Sequence, residues 1–241
     1  MISVIVPTLN EEAALPRLLA GLAGETPAPE IIVVDGGSDD ATRRLARRTG
    51  ARVVRAPPGR GRQLAVGAEL ASGDVLLFLH ADSVFPRGGL RRIEESLAGD
   101  PVLVGGNFRL VFDGERPFSR WLTGFYAWFR KRGLYYGDSG IFVRAEVYRA
   151  LGGFRPIALM EDYDFTRRLE RAGPTCCILE PPLVASSRRF ENRHPVAIFL
   201  GWLEIHALYH LGLPDRLLAR HYRWQGRRAE RPRLSGQGGL R

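Results

Sequence analysis

Three short polar clusters in this 241-residue chain each follow an apolar run, and their residue types suit one kind of chemistry. Pro7-Thr8-Leu9-Asn10-Glu11 follows Ile2–Val6, Asp35-Gly36-Gly37-Ser38-Asp39-Asp40 follows Ile31–Val34, and His80-Ala81-Asp82-Ser83 follows Val75–Leu79. Carboxylates and amides there can accept from the hydroxyls of a ribose or sugar. One or two carboxylates can also share a hard cation such as magnesium or manganese with phosphate oxygens. Gly59-Arg60-Gly61-Arg62-Gln63 precedes a helical pattern and reads either as an anion-contacting loop at a helix N-terminus or as a solvated basic turn. Each cluster has a plainer reading too. Asn10 can cap a helix starting at Glu11, Asp35-Gly36-Gly37 can be a turn, Ser38 or Asp39 can cap the next helix, and Asp82 can cap a later turn. Taken together, acidic or amide groups at three strand ends favour a shared site, because capping does not require an Asp directly after an apolar strand.

The elements that must position these residues are legible from periodicity. The runs Ile2–Val6, Ile31–Val34, Arg52–Arg55 and Val75–Leu79 have the Val, Ile and Leu content of strands buried on both faces of a parallel sheet. Between them, Glu11–Ala23, Asp39–Thr49 and Arg62–Ala71 place apolar residues at helical spacing, with Leu15, Leu18, Leu19 and Leu22 forming the first stripe. This βαβα order predicts an open, doubly wound α/β sheet, in which ligands bind beyond the carboxyl ends of the strands. Further on, Val102–Phe112 predicts a long strand, Pro117–Lys131 an aromatic-rich helix, Tyr135–Gly140 a loop and Ile141–Val143 a short strand. Glu161–Ala172 predicts a helix, Val184–Phe190 a strand or extended loop, and Val196–Leu211 and Pro214–Arg223 two terminal helices. From Gln225 the composition shifts to Arg, Gly, Pro and Gln, which predicts a disordered basic tail.

Composition narrows the function classes. A balance of 45% hydrophobic and 25% charged residues excludes a wholly disordered or fibrous chain. The formal charge of +9, carried almost wholly by arginine since Lys131 is the one lysine, favours anionic partners such as nucleotides, phospholipid headgroups or nucleic acid. Adjacent Cys176 and Cys177 form neither a disulfide framework nor a zinc site and suit a reducing cytosol. No signal peptide is read at the N-terminus. Ala197–Leu213 is broken by Glu204, His206 and His210 and falls short of a bilayer span. The chain has no Gly-Lys-Ser or Gly-Lys-Thr, and no G-x-G-x-x-G after its first strand, against a P-loop NTPase or an ordinary dinucleotide site.

The segments Val4–Glu11, Val33–Thr42 and Leu79–Asp82 resemble glycosyltransferase family 2. The resemblance continues in order through Gly59–Gln63, Gly137-Asp138-Ser139-Gly140 and Met160-Glu161-Asp162-Tyr163-Asp164-Phe165, over about residues 1–190. Gly-Arg-Gly-Arg-Gln with Leu-His-Ala-Asp is most similar to the bacterial arsenosugar-biosynthesis-type subgroup; a carotenoid-acid glycosyltransferase is more distant. The resemblance implies a GT-A fold: a Rossmann-like nucleotide-binding half with a mostly parallel central sheet flanked by helices, plus C-terminal helices. It implies an inverting transfer of a sugar, expected to be a hexose, from a nucleotide-diphosphate donor to an acceptor hydroxyl, assisted by Mn2+ or Mg2+.

Carried over position by position, the resemblance puts Pro7, Thr8, Asn10, Glu11, Asp35, Gly37, Arg62, His80, Ala81 and Asp82 in the nucleotide-sugar pocket. Asp35 would contact the uracil or guanine ring, and Asp82 would be the metal ligand ending the Asp-x-Asp signature. Here His80 stands where the family has the first Asp; its neutral imidazole can bind manganese or a ribose hydroxyl but brings no negative charge. Glu161 and Asp162 would be the catalytic pair, with Asp162 the base. The plainer alternative is a helix start enriched in acids to complement the dipole. Arg188 or Arg189 could grip the diphosphate through forked hydrogen bonds, or form an exposed basic stretch. Tyr136, Gly137 and Asp138 would face the acceptor, with Asp138 equally readable as a turn residue.

The expected organisation is one domain over 1–224, with a donor half at 1–100, an acceptor and catalytic half at 101–190, terminal helices at 191–224 and the basic tail at 225–241. The terminal helices mix Phe199, Trp202 and Leu203 with His206 and His210. They can pack on the domain, pair in a homodimer or, with Arg227, Arg228, Arg231 and Arg233, meet a membrane surface. The acceptor is then a small molecule or a lipid-linked one, and the protein is expected in the cytoplasm or peripherally on the inner membrane face. Two competitors remain. A nucleotidyltransferase shares acidic strand ends but wants a Gly- and Lys-rich phosphate loop near the N-terminus, absent here. A nucleic-acid-binding module has charge alone in its favour, without a stacking-aromatic motif.

Overall fold

The computed structural model describes residues 1–114, 117–186 and 194–230. The chain divides into two compact units, Met1–Arg188 and Arg189–Arg241. In the first, β1 (Ile2–Thr8), β2 (Glu30–Asp35), β3 (Arg52–Arg55) and β4 (Val75–Phe78) alternate with α1 (Leu15–Ala23), α2 (Thr42–Arg48) and α3 (Arg60–Glu69). Then come α4 (Gly89–Gly99), β5 (Gly105–Phe112), α5 (Pro117–Arg130), a 3-10 turn (Gly137–Ser139), β6 (Ile141–Arg144), α6 (Ala145–Ala150), α7 (Glu161–Ala172) and β7 (Thr175–Ala185). All seven strands form one sheet, in the order β3-β2-β1-β4-β6-β5-β7. The first four run parallel, β6 is antiparallel to β4 and β5, and β7 is parallel to β5.

Successive strand side chains point to opposite faces, so β1 supplies both cores at once. Val4 and Val6 pack with the Leu15, Leu18, Leu19 and Leu22 stripe of α1 and with Leu90, Ile93 and Leu97 of α4. Ile5 joins Val34, Leu64 of α3, Tyr148 of α6, and Phe165 and Leu169 of α7 on the other face. Gly67 lets α3 lie flat there: a Cβ at this position would come within 2.4 Å of Ile5 Cγ2 and 3.0 Å of Val34 Cγ2.

Several expected boundaries change. The first helix begins at Leu15 rather than Glu11, because Asn10, Glu11 and Glu12 give their N–H groups to side chains of the next crossover. Asn10 takes a left-handed φ of 57° and does not cap. The expected strand from Val102 begins at Gly105, and Val184–Phe190 is only the end of the longer β7, with residues 187–190 outside those described. Helices α4 and α6 went unanticipated. The start of α4 is held by Glu25, whose carboxylate accepts from the N–H groups of Gly88 (2.7 Å) and Leu90 (3.0 Å). In the second unit, α8 (Pro195–His210) and α9 (Asp215–Glu230) are joined by a hydrogen bond between His221 Nε2 and Glu204 Oε1, 2.9 Å. Helix α9 thus runs past the expected tail boundary at Gln225.

Gly67→Ala tests the seating of α3. The added methyl overpacks a filled interface, so the urea midpoint should fall, with a loss of about 1–3 kcal/mol.

Candidate active site

The loops after β1 and β2 are zipped together. Asn10 N–H donates to Ser38 Oγ (2.9 Å), and Asn10 Oδ1 accepts from Asp39 N–H (2.9 Å). Glu11 N–H donates to Thr42 Oγ1 (2.8 Å), Glu12 N–H to Asp40 Oδ2 (3.0 Å), and Ala41 N–H to Glu12 Oε2 (2.9 Å). Beneath the zipper lies Gln63 of α3, a buried side chain that sequence reasoning quoted without assigning a role. Its Nε2 donates to Thr8 O (2.9 Å) and Val34 O (2.7 Å), tying the ends of β1 and β2 to each other.

Several expected pocket residues turn inward. Asp35 is fully buried: Oδ1 accepts from the N–H groups of Gly37 and Ser38 (3.1 Å each), Oδ2 from Ser38 Oγ (2.5 Å), and Arg43 Nε stands 3.7 Å away. Its carboxylate holds its own turn and is not exposed at the surface. Thr8 is buried with Oγ1 turned to Val34 O, and Ala81 packs in the hydrophobic core. Pro7 is half-buried, whereas Asn10, Gly37, Arg62 and Asp82 are exposed. Arg62 engages no hydrogen bond or ion pair among the described residues. Arg188 and Arg189 lie outside them.

The carboxylates that feel one another's charge come from the loops after β1, β2 and β4. Burial, then the charges of Asp82 and Asp40, push the Glu11 carboxyl above its ordinary value. Among the described residues, no group of three or more His, Cys, Asp or Glu side chains is arranged to hold a metal ion. A cation shared with phosphate oxygens needs only one or two carboxylates, and Asp82 with Glu11 nearby supplies these. By residue type and exposure the site fits such an ion in a donor complex.

The second half of the site reaches the same strand end through topology. Because β6 is antiparallel to β4, Ile141 pairs with Phe78, and the 3-10 turn preceding β6 falls beside the loop that follows β4. A Cβ on Gly137 would lie 3.0 Å from His80 Nε2 and 3.3 Å from Asp162 Oδ2, so His80 is turned toward Asp162 across this glycine. Asp162 Oδ2 accepts from Gly137 N–H (2.9 Å), and Oδ1 from Tyr163 N–H (2.8 Å). Burial alone would raise this carboxyl; Arg60, the two N–H groups and His80 outweigh it and hold Asp162 below the usual carboxylate range. Glu161 is buried against Arg60, which bonds it through Nε, while Arg60 Nη2 stands 3.9 Å from Asp162 Oδ2. Burial, with the adjacent Asp162 charge, pushes Glu161 up despite that pairing. Tyr136 stacks near Tyr163 with centroids 6.1 Å apart; burial and then Asp162 push its hydroxyl up, so it stays protonated. Asp138 sits half-buried on the 3-10 turn.

The structure therefore brings His80, Tyr136, Gly137, Asp138, Glu161 and Asp162 together at the end of β4, while Glu11 in the loop after β1 lies near enough to Asp82 to feel its charge. Arg60, rather than the Arg62 that the sequence favoured, is the cation that pairs with Glu161 and approaches Asp162. Two residues apart on a helix, they point to different sides, and only the phase of α3 separates them. The non-glycine residues at positive φ among the described residues are Asn10 and Met160, and both flank this site.

The family model for Glycosyl transferase family 2 matches residues 3–151. The PGL/p-HBAD biosynthesis glycosyltransferase of Mycobacterium bovis (strain BCG / Pasteur 1173P2) is 34% identical over 155 residues, covering 56% of this chain and 60% of that protein. The chain spans 24% to 60% of the length of the curated relatives it matches. S. aureus TarS 1-349 in complex with UDP-GlcNAc aligns with a TM-score of 0.64 at 18% identity, over 93% of this chain and 70% of that one. Mannosyltransferase PcManGT from Pyrobaculum calidifontis, in complex with GDP-Man and Mn2+, aligns with a TM-score of 0.63 at 18% identity, over 95% and 72%. The shared architecture is the GT-A fold.

Gln63→Leu keeps the shape of the Gln63 side chain and removes its donor. Thr8 O and Val34 O are then left without it in a buried setting, which should destabilise the chain by about 1–3 kcal/mol in urea unfolding.

Proposed function

The chain belongs to glycosyltransferase family 2, and on that premise we propose that it transfers a sugar from a nucleotide-diphosphate donor to an acceptor hydroxyl with inversion, Asp162 acting as the base. The observation carrying this is the cluster of Asp162, Gly137, His80 and Arg60 at the end of β4, beside the exposed Asp82. The donor occupies the crevice outside β1, β2 and β4, rimmed by Pro7, Asn10, Glu11, Gly37, Arg62 and Asp82. The acceptor lies along Tyr136–Asp138. UDP- and GDP-sugars are the first candidates, since those are the donors bound by the two aligned structures.

Asp162 is held as a carboxylate at neutral pH, oriented by two backbone N–H groups, and takes the acceptor proton as the hydroxyl attacks the anomeric carbon. Tyr136 keeps its proton and can donate to the incoming sugar or acceptor. Asp82, with Glu11, would hold a divalent cation, Mn2+ or Mg2+, which when bound neutralises the departing diphosphate. His80 faces Asp162 and serves the base rather than the ion. The arsenosugar-type subgroup motif and a lipid-linked or small-molecule acceptor belong to the same reading. Among the described residues no helix is long and apolar enough to cross a membrane.

Asp162→Asn should lower turnover by about 10²–10⁴-fold with the melting temperature retained. Retention of wild-type turnover sinks the base assignment. Thermal shift with UDP-GlcNAc and GDP-mannose, with and without MnCl2, should give a manganese-dependent rise that Asp82→Ala abolishes. Because the Asp162 carboxyl lies below its usual range, kcat measured at saturating donor and metal should show no loss of the base until pH falls below about 4.

A further inference from the structure

The cation that bridges the two halves of this site comes from the first residue of α3. Arg60 bonds Glu161 through Nε and brings Nη2 to 3.9 Å from Asp162 Oδ2. The approach is built into the backbone. A Cβ on Gly61 would lie 2.6 Å from Arg155 O and 3.2 Å from Glu161 Cβ, so α3 meets the start of α7 only with glycine there. Met160, directly before the pair, is held at φ 68°, a conformation that a non-glycine residue keeps only when its surroundings enforce it. Glu161 is 2% exposed, and Arg60 is its ion-pair partner among the described residues. Two neighbouring buried carboxylates repel unless a cation stands between them.

We infer, on the reading of Asp162 as the base, that Arg60 is the positioning residue of this site: its guanidinium grips Glu161 as an anchor and fixes Asp162 against the Tyr136–Asp138 turn. The forked guanidinium serves two carboxylates at once, and its fixed charge does not vary with pH. Glu161 is accordingly an anchor for Arg60, and the chemistry falls to Asp162 alone.

The test follows the Asp162 carboxyl carbon by 13C NMR in the full chain, its resonance assigned by loss in Asp162→Asn. In the wild type and in Arg60→Lys, the resonance should not titrate between about pH 5 and pH 8. In Arg60→Gln its midpoint should climb by about 1–3 pH units, toward that window. Gly61→Ala, which pushes α3 away from α7, should move it in the same direction by less, and it serves as the readout if Arg60→Gln does not fold. An unmoved midpoint in a folded variant overturns the inference even where Asp162→Asn is inactive. An active Asp162→Asn overturns the base assignment while leaving the titration result intact.

Discussion

A carboxylate taken out of water has to be met by N–H donors or cations, and that requirement organises the first unit. Glu25, Asp35, Glu161, Asp162 and Asp164 are all buried. Asp35 is met within its own turn, and Asp164 by Arg155 (3.0 Å) and Arg168 (2.8 Å). The other three are met from far away: Glu25 by the start of α4, Glu161 by Arg60, Asp162 by the 3-10 turn. Those distant pairings are the fasteners between segments that the two apolar cores alone would leave free to slide. Much of the acidic character that looks like ligand chemistry in the sequence is thus spent on holding the scaffold, and a smaller set stays open to solvent.

The route by which the two halves meet is topological. A purely parallel sheet would have sent every crossover loop to the same end, with no return segment beside β4. Inserting β6 antiparallel between β4 and β5 makes the chain arrive at that end rather than leave it. The 3-10 turn therefore presents its N–H groups next to His80, and α7 follows with its acids already facing them. Around this site the close approaches fall at Gly61 and Gly137, where a Cβ would come within 2.6 Å of Arg155 O and 3.0 Å of His80 Nε2.

The fold was largely readable because periodicity records burial. The Leu15–Leu22 stripe and the strands of the first half appear where expected, except that β3 is an edge strand with Arg52 and Arg55 exposed rather than one buried on both faces, and α7 spans Glu161–Ala172 as its pattern predicts. What escaped the reading had long-range causes. Helix α4 takes its cap from Glu25, and β7 carries Pro181 and Pro182 inside an edge strand, where missing donors are tolerated but the run looks broken. In the site, residue type located the right loops but not the right side chains. Asp35, Thr8 and Ala81 sit on the motif and face inward, whereas Arg60 sits one helical phase from the residue first favoured.

The zipper between the first two loops has a further consequence. Asn10, Glu11 and Glu12 are bonded to Ser38, Asp39, Asp40, Ala41 and Thr42, and Gln63 locks both strand ends from below. The floor of the crevice is one interdependent lattice in which a change at any node disturbs several others. Divergence in ligand preference is therefore channelled to the exposed side chains around it, Leu9 and Arg62, which can vary while the floor stays fixed.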